Sequence, residues 1–190
     1  MNLLEQAIQF AVKAHAGQKR KLSDIPAILH PLEVSAIIAT LSTDMNTMAA
    51  GVLHDTVEDA QVTIDEIRQQ FGDRVAFLVS CETEHKDQER APEDTWYERK
   101  KGSLDELRTI EDREVKVLWL SDKLSNLRSF CREYRKRGDE IWNHLHQHDP
   151  AMHEWYYRTI GNCLSELHGT DAYEEYIRLT EQLFAKGGKQ

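Results

Sequence analysis

The 190-residue chain is 40% hydrophobic, and 33 Asp and Glu against 24 Lys and Arg give it a formal net charge of −9. Such an acidic balance excludes a general nucleic-acid coat and an anionic-membrane binder, while the apolar fraction suffices for a sizeable core. Three cysteines (Cys81, Cys131 and Cys163) without C-x-x-C spacing, with 4 Pro and 9 Gly, exclude a disulfide framework, a zinc ribbon and a low-complexity chain. Uninterrupted apolar stretches run only a few residues, too short to span a membrane. The segment Met1-Asn2-Leu3-Leu4-Glu5 lacks the basic region of a signal peptide. A soluble, cytoplasmic, globular protein is the expectation.

Taken in chain order, nearly every periodic segment has helical spacing. Leu4, Ile8, Ala11 and His15 form one stripe, with Gly17 placed to stop the helix. A basic loop, Lys19-Arg20-Lys21, precedes His30-Pro31, and proline at a first helical position predicts a helix from there that buries Val34, Ile37, Ile38 and Leu41. The run Met48 to Leu53 leads into His54-Asp55. Thr63 and Glu66 have capping-box spacing for a helix ending near Phe71-Gly72, and Asp73 is placed to cap the next, which carries Val75, Leu78 and Val79. Residues 84 to 95 are polar, contain Pro92 and read as a mobile surface loop. Helices are expected from Trp96 to Leu107, from Val115 to Phe130 and around 132–146. After a break at Asp149-Pro150 come one more ending near Gly169 and a last over about 171–185. Alternating strand-type runs and repeats are absent, which predicts an all-α fold.

The segment His54-Asp55-Thr56-Val57-Glu58-Asp59 carries the most chemical information. His54 and Glu58, like Asp55 and Asp59, are four apart, and acids at that spacing repel on a helix face. A solvated acidic helix end is one explanation. A divalent cation is the other, with His54 and Asp55 as ligands and Glu58 and Asp59 handling protons on an attacking water. His30 precedes Pro31, which biases it towards an extended conformation beside a helix start, where the helix dipole disfavours protonation. Asp122 lies among Val115, Leu118 and Trp119, opposite the stripe Val117, Leu120, Leu124, Leu127 and Cys131. A helix apolar on both sides is buried on both sides, so this carboxylate is either salt-bridged, to Lys123 or an arginine, or bound to metal.

The order His30, His54-Asp55, Asp122 matches the H…HD…D signature of the HD-domain metal-dependent phosphohydrolases. The wording is closer still to one branch. Ala14 to Lys21, His30-Pro31-Leu32, His54 to Asp59, Phe71-Gly72 and Ser121 to Arg128 make the chain resemble the (p)ppGpp hydrolases, both the stand-alone small alarmone hydrolases and the hydrolase domain of bifunctional alarmone enzymes. The resemblance is clear over residues 5 to 130.

It implies an all-α, HD-domain helical phosphohydrolase fold. Residues 1–190 would form one HD-type hydrolase domain, with a core over about 1–130 and C-terminal helices over about 131–186 packed on it. It further implies a manganese-dependent enzyme that removes the 3′-pyrophosphate of ppGpp or pppGpp by attack of a metal-activated water. By position, His30, His54, Asp55 and Asp122 would hold one Mn²⁺. Glu58 and Asp59 would be the catalytic acidic pair, and Arg20, Lys21 and Asn126 would contact the nucleotide. Two imidazoles and two carboxylates suit such an ion. The partner is then a small-molecule nucleotide, with no nucleic acid and no membrane; homo-oligomerisation is left open.

Three positions depart from the family pattern. Trp119 stands where the alarmone enzymes usually carry lysine, Ser121 replaces a common alanine, and Pro26-Ala27-Ile28-Leu29 lacks the usual aromatic before His-Pro. These keep two other readings open: an HD-type phosphohydrolase of another nucleotide or of a phosphorylated cofactor such as NADPH, and a non-catalytic nucleotide-binding sensor. Elsewhere, His15 reads as a hydrogen-bonded helix histidine. Trp155, Tyr156 and Tyr157 read as packing residues, and His144, His146, His148 and His153 form a cluster without supporting carboxylate or cysteine spacing.

Overall fold

The structure is a computed structural model that describes residues 1–84 and 90–185. Among these residues it contains ten α-helices and no strand, an all-α fold; an isolated bridge joins Lys19 and Pro26. No helix among them is long and apolar enough to cross a membrane. The chain divides into two compact units: residues 1–84 with 111–125, and residues 85–110 with 126–190.

In the first unit, α1 (Leu3–Ala14) opens on a capping box in which Asn2 and Glu5 satisfy each other's backbone N–H groups, and it buries Ala7 and Ala11. Gly17, at φ +78°, turns the chain out of the helix as its spacing predicts. Backbone bonds from Arg20 to Ile25 and from Ala27 to Gln18, each 3.0 Å, shape the basic loop that follows. Helix α2 (Leu29–Leu41) begins two residues before the expected Pro31. His30 is therefore helical rather than extended. Pro31, third in the helix, lacks a donor that would have had no intrahelical acceptor in any case.

Helix α3 (Met45–Leu53) is capped by Asp44 and packs against α1, α2 and α6. Gly51 lies at its crossing with α2, where a larger residue would have to displace the Ile38 side chain. A Cβ there would fall inside the contact radius of Ile38 Cδ1 and lie 3.4 Å from Ser35 Cα. The helix does not run on through His54-Asp55. The chain turns there and restarts as the short α4 (Thr56–Asp59), while Thr56 Oγ1 donates to the Leu53 carbonyl at 2.6 Å and so satisfies the open end.

The predicted capping box of Thr63 and Glu66 opens α5 (Ile64–Phe71). Asp73 does not cap the next helix: Gly72 takes that position and Asp73 is the first residue of α6 (Asp73–Glu82), where its charge still favours the positive helix end. The unit is completed by the first part of α8 (Arg113–Arg137). Val115, Val117, Leu118, Trp119, Leu120 and Leu124 are all buried, so the helix is apolar on both sides as expected. Side-chain bonds tie it to α2 (His30 to Ser125), α3 (Thr47 to Glu114) and α6 (Trp119 to the Cys81 carbonyl).

In the second unit, α7 (Pro92–Thr109) starts at Pro92, earlier than Trp96, because proline suits a first helical turn. Of the expected loop, residues 92–95 are thus helical, and 85–89 lie outside the described residues. Helix α8 continues to Arg137 without the expected break, since 132–137 are good helix formers and buried Glu133 accepts from Lys136 at 2.8 Å. A 3-10 turn spans Gly138–His144, so 138–146 is not α-helical. Asp149 caps α9 (Pro150–Cys163), which ends well before Gly169, and α10 (Asp171–Phe184) follows. Helix α9 packs against α7 and α10 around Trp96, Trp142, Tyr156, Tyr157, Tyr176 and Phe184. The buried hydroxyls of Tyr173 and Tyr176 donate to the carbonyls of Gly161 and Tyr157, which removes the cost of burying them.

Candidate metal centre

Three elements of the first unit deliver the candidate ligands: the first turn of α2 brings His30, the turn between α3 and α4 brings His54 and Asp55, and the middle of α8 brings Asp122. Both imidazoles and Asp122 are buried, and the Asp55 side chain is 25% exposed. His30 Nε2 lies 2.9 Å from Asp122 Oδ1 and 3.5 Å from Asp55 Oδ2. His54 Nε2 lies 3.2 Å from Asp55 Oδ1 and 3.5 Å from Asp122 Oδ1. Among the described residues, His30, His54 and Asp122 are the group whose donor atoms are all near enough to hold one ion. Asp55 joins them with a different oxygen towards each histidine.

The hydrogen bonds behind the imidazoles decide which nitrogens face inwards. His54 Nδ1 lies 2.9 Å from the Gly51 carbonyl, an acceptor, so Nδ1 carries the proton. Ser125 Oγ donates its single proton to Glu33 Oε2 at 2.7 Å, so the His30 Nδ1 atom 2.9 Å from that oxygen must be the donor. In the neutral rings both Nε2 atoms then present lone pairs to carboxylate oxygens, an arrangement that needs a cation or a proton between them. His54 Nε2 is buried and makes no hydrogen bond. Two donors sharing one ion at roughly 2.1 Å lie about 3.0 to 3.4 Å apart for right-angled to tetrahedral arrangements. The observed separations of 2.9 to 3.5 Å fit.

Without an ion, a proton on His54 takes its place. Burial pushes the His54 imidazolium down, but Asp55, then Asp122 and Glu82, override it and raise His54 to about 10. The Asp122 carboxyl, which burial alone would raise, is held well below the ordinary range by Lys123 and the two histidines. Asp55 is lowered as well: burial opposes this, while His54, His30 and Arg20 favour its charged form. Lys123 contacts Asp122 Oδ2, so the salt-bridge reading of Asp122 and the ligand reading coexist on its two oxygens. Glu82 is pushed up to about 8 by burial, against the pull of Lys123 2.6 Å away.

The other expected site residues are more dispersed. Glu58 and Asp59 follow the histidine-aspartate pair directly on α4. Glu58 Oε1 accepts the Glu84 N–H at 2.7 Å, Asp59 is exposed, and its carbonyl accepts from Gln18 Nε2 at 2.8 Å. Arg20 is half-buried and contributes to the charge balance at Asp55, whereas Lys21 is exposed. Asn126 is half-buried and belongs to the second unit. Trp119 is a core residue whose Nε1–H donates to the Cys81 carbonyl at 3.1 Å and whose ring lies 4.8 Å from Lys123 Nζ. His15 is buried, with Nδ1 2.8 Å from Gln18 Oε1. The four later histidines do not converge: His148 and His153 meet backbone carbonyls, while His144 and His146 lie near Glu140 and Glu93.

Sequence reasoning assigned no role to Glu33, Ser125, Glu82 or the Gly51 carbonyl. A signal existed for the first two: each lies three residues after a candidate ligand, on the same helix face.

The HD domain family matches residues 7–151. The chain belongs to the HD-domain family. Among related proteins, this HD domain is 39% identical over 137 residues to an Aquifex aeolicus protein named guanosine-3′,5′-bis(diphosphate) 3′-pyrophosphohydrolase, covering 70% of this chain and 19% of that one. It is 40% identical over 184 residues to a Streptomyces coelicolor protein named GTP pyrophosphokinase, covering 94% of this chain and 21% of the relative. The chain thus spans about a fifth of the length of these curated relatives. Of solved structures, the Listeria monocytogenes protein lmo0812 superposes with a TM-score of 0.69 at 32% identity over 83% of this chain and 94% of that one. A metazoan ortholog of SpoT, described as hydrolysing ppGpp, superposes with a TM-score of 0.73 at 22% identity over 96% of both chains, a likeness of fold.

Proposed function

We propose that this HD domain is a divalent-metal-dependent pyrophosphohydrolase that removes the 3′-pyrophosphate of ppGpp or pppGpp, with Mn²⁺ as the ion. The observation that carries the reading is the pair of inward-facing Nε2 atoms, His30 and His54, set against the carboxylates of Asp55 and Asp122. The naming of the Aquifex aeolicus relative supports the substrate. The family match over residues 7–151 and the alignment of the Streptomyces coelicolor relative over 94% of this chain support the reading of residues 1–190 as one hydrolase domain.

In this reading His30, His54, Asp55 and Asp122 hold the cation. A divalent ion bound there supplies a Lewis acid for a phosphoryl oxygen and lowers the pKa of water. The chain's own groups do the rest. Glu58 and Asp59, on the helix that leaves the ligand turn, accept the proton of the attacking water and return one to the departing 3′ oxygen. Arg20, with Lys21 and Asn126, binds the nucleotide, and the basic side chains offset the phosphate charge. The oxygen of water goes to phosphorus, the bond from phosphorus to the 3′ oxygen breaks, and pyrophosphate leaves. A nucleotide is then the small-molecule partner and the cytoplasm the setting. A Mn²⁺-supplemented hydrolysis screen over ppGpp, pppGpp, other nucleotides and NADPH tests this reading, with pyrophosphate from ppGpp as the expected product. Preferential turnover of NADPH or another nucleotide moves the substrate, and binding without turnover leaves only a sensor.

A further inference from the structure

We infer that Glu33 and Ser125 form a relay that sets the tautomer of His30 and so makes its Nε2 atom available to the metal ion. The inference rests on the reading of His30 as a ligand given above. Ser125 is fully buried on α8, one turn after Asp122; Glu33 is half-buried on α2, one turn after His30. The three side chains are in series: Glu33 Oε2 to Ser125 Oγ at 2.7 Å, and Ser125 Oγ to His30 Nδ1 at 2.9 Å.

The direction of the relay follows from what each atom can do. A carboxylate only accepts, so the Ser125 hydroxyl proton points to Glu33. The oxygen has no second proton, so towards His30 it can only accept. His30 must then carry its proton on Nδ1, and the lone pair of Nε2 points to the side where Asp122 Oδ1 lies 2.9 Å away. Without Glu33 the hydroxyl is free to turn, donate to Nδ1 and favour the opposite tautomer, whose Nε2–H cannot ligate. His54 needs no such device, because a backbone carbonyl, that of Gly51, can only accept. One histidine is oriented by the main chain and the other by a side-chain pair that spans two helices. Partners behind metal-bound histidines typically carry 10–100-fold in affinity. Glu33 and Ser125 are positioning residues on this argument; neither touches substrate.

Calorimetric titration of Mn²⁺ into the purified full chain tests the relay without reference to catalysis. Ser125→Ala and Glu33→Gln should each weaken Mn²⁺ binding by about 10–100-fold. Glutamine can itself donate to Ser125 Oγ and release the hydroxyl towards His30. In the Ser125→Ala background, Glu33→Gln should change affinity by no more than about twofold, because the two act in series. Equal weakening by Glu33→Gln in both backgrounds would mean that Glu33 acts as a bare charge, and the relay would be wrong. Wild-type affinity in both single variants would overturn it too. Circular dichroism and thermal unfolding of the metal-free variants check the fold, and half-buried Glu33 provides a variant that does not disturb the core. Absence of Mn²⁺ binding by the wild-type chain is a separate outcome, which removes the metal reading and the relay with it.

Discussion

Lys123 reaches from α8 to Glu82 on α6, Nζ to Oε1, at 2.6 Å, and the same ammonium contacts Asp122. One cation thus serves two buried acidic side chains, and it lies 4.8 Å from the Trp119 ring centroid. Removing it by Lys123→Met takes the ammonium from the Oδ2 side of buried Asp122 and leaves the two histidines to balance its charge from Oδ1. The expected cost is about 3 kcal/mol of stability in the metal-free protein, measured by urea unfolding. Glu82→Gln should cost about 1 kcal/mol or less, since burial already raises Glu82 to about 8 and an amide resembles the neutral acid. Equal losses in the two variants would contradict this division.

Gly51 has two functions at one position: it lets α3 approach α2, and its carbonyl orients His54. Gly51→Ala drives a methyl into Ile38 Cδ1 and should destabilise by about 1–3 kcal/mol. Ile38→Val removes that carbon and alone should cost about 0.5–1.5 kcal/mol. In the Gly51→Ala background the same change should be neutral or stabilising. Additive losses in thermal unfolding would show that the crossing is not the cause.

The Arg74–Asp112 pair on the first unit makes a pH prediction. Two bonds of 2.5 and 3.0 Å join them, and Asp112 Oδ1 also accepts the Glu114 N–H. Arg74 holds the Asp112 carboxyl below its ordinary 3.8, with burial opposing. A lowered acid stabilises the fold above its unfolded pKa, and that stability is lost as pH falls through the folded value. Asp112→Asn should therefore cost about 1 kcal/mol at neutral pH, modest because both side chains are partly exposed. The gap between wild type and variant should close as pH drops below 3.8. A gap that stayed constant down to the acid unfolding range would show that the charge contributes nothing.

If the centre holds an ion in the folded state alone, Mn²⁺ must raise the unfolding temperature. A concentration 100 times the dissociation constant contributes about 2.7 kcal/mol. The Asp122→Ala variant should show no such shift in differential scanning fluorimetry, and a shift equal to that of wild type would place the ion elsewhere.

Much of this was legible in the residues. The spacing of Thr63 and Glu66 marked a helix start, and Asp122 stood out as a carboxylate on a helix apolar on both sides. Where the reading missed, some causes were local and others needed tertiary contacts. His30 looked extended because a proline follows it, yet a proline three residues into a helix breaks no bond. The break expected near residue 131 is absent because buried Glu133 finds Lys136 within the same helix. The pairing of Ser125 with Glu33 joins residues 92 apart and needs the fold to bring α2 and α8 together. Trp119 reads as a departure at a pocket position, but in the fold it is a core residue whose ring supports Lys123.

The central claim, pyrophosphate removal dependent on the His30–His54–Asp55–Asp122 centre, is tested most directly by measuring pyrophosphate release from ppGpp with Mn²⁺ present and after chelation. Wild type should release pyrophosphate only with the ion, and Asp55→Ala and Asp122→Ala should release none. Undiminished release in chelator, or from either variant, would contradict it.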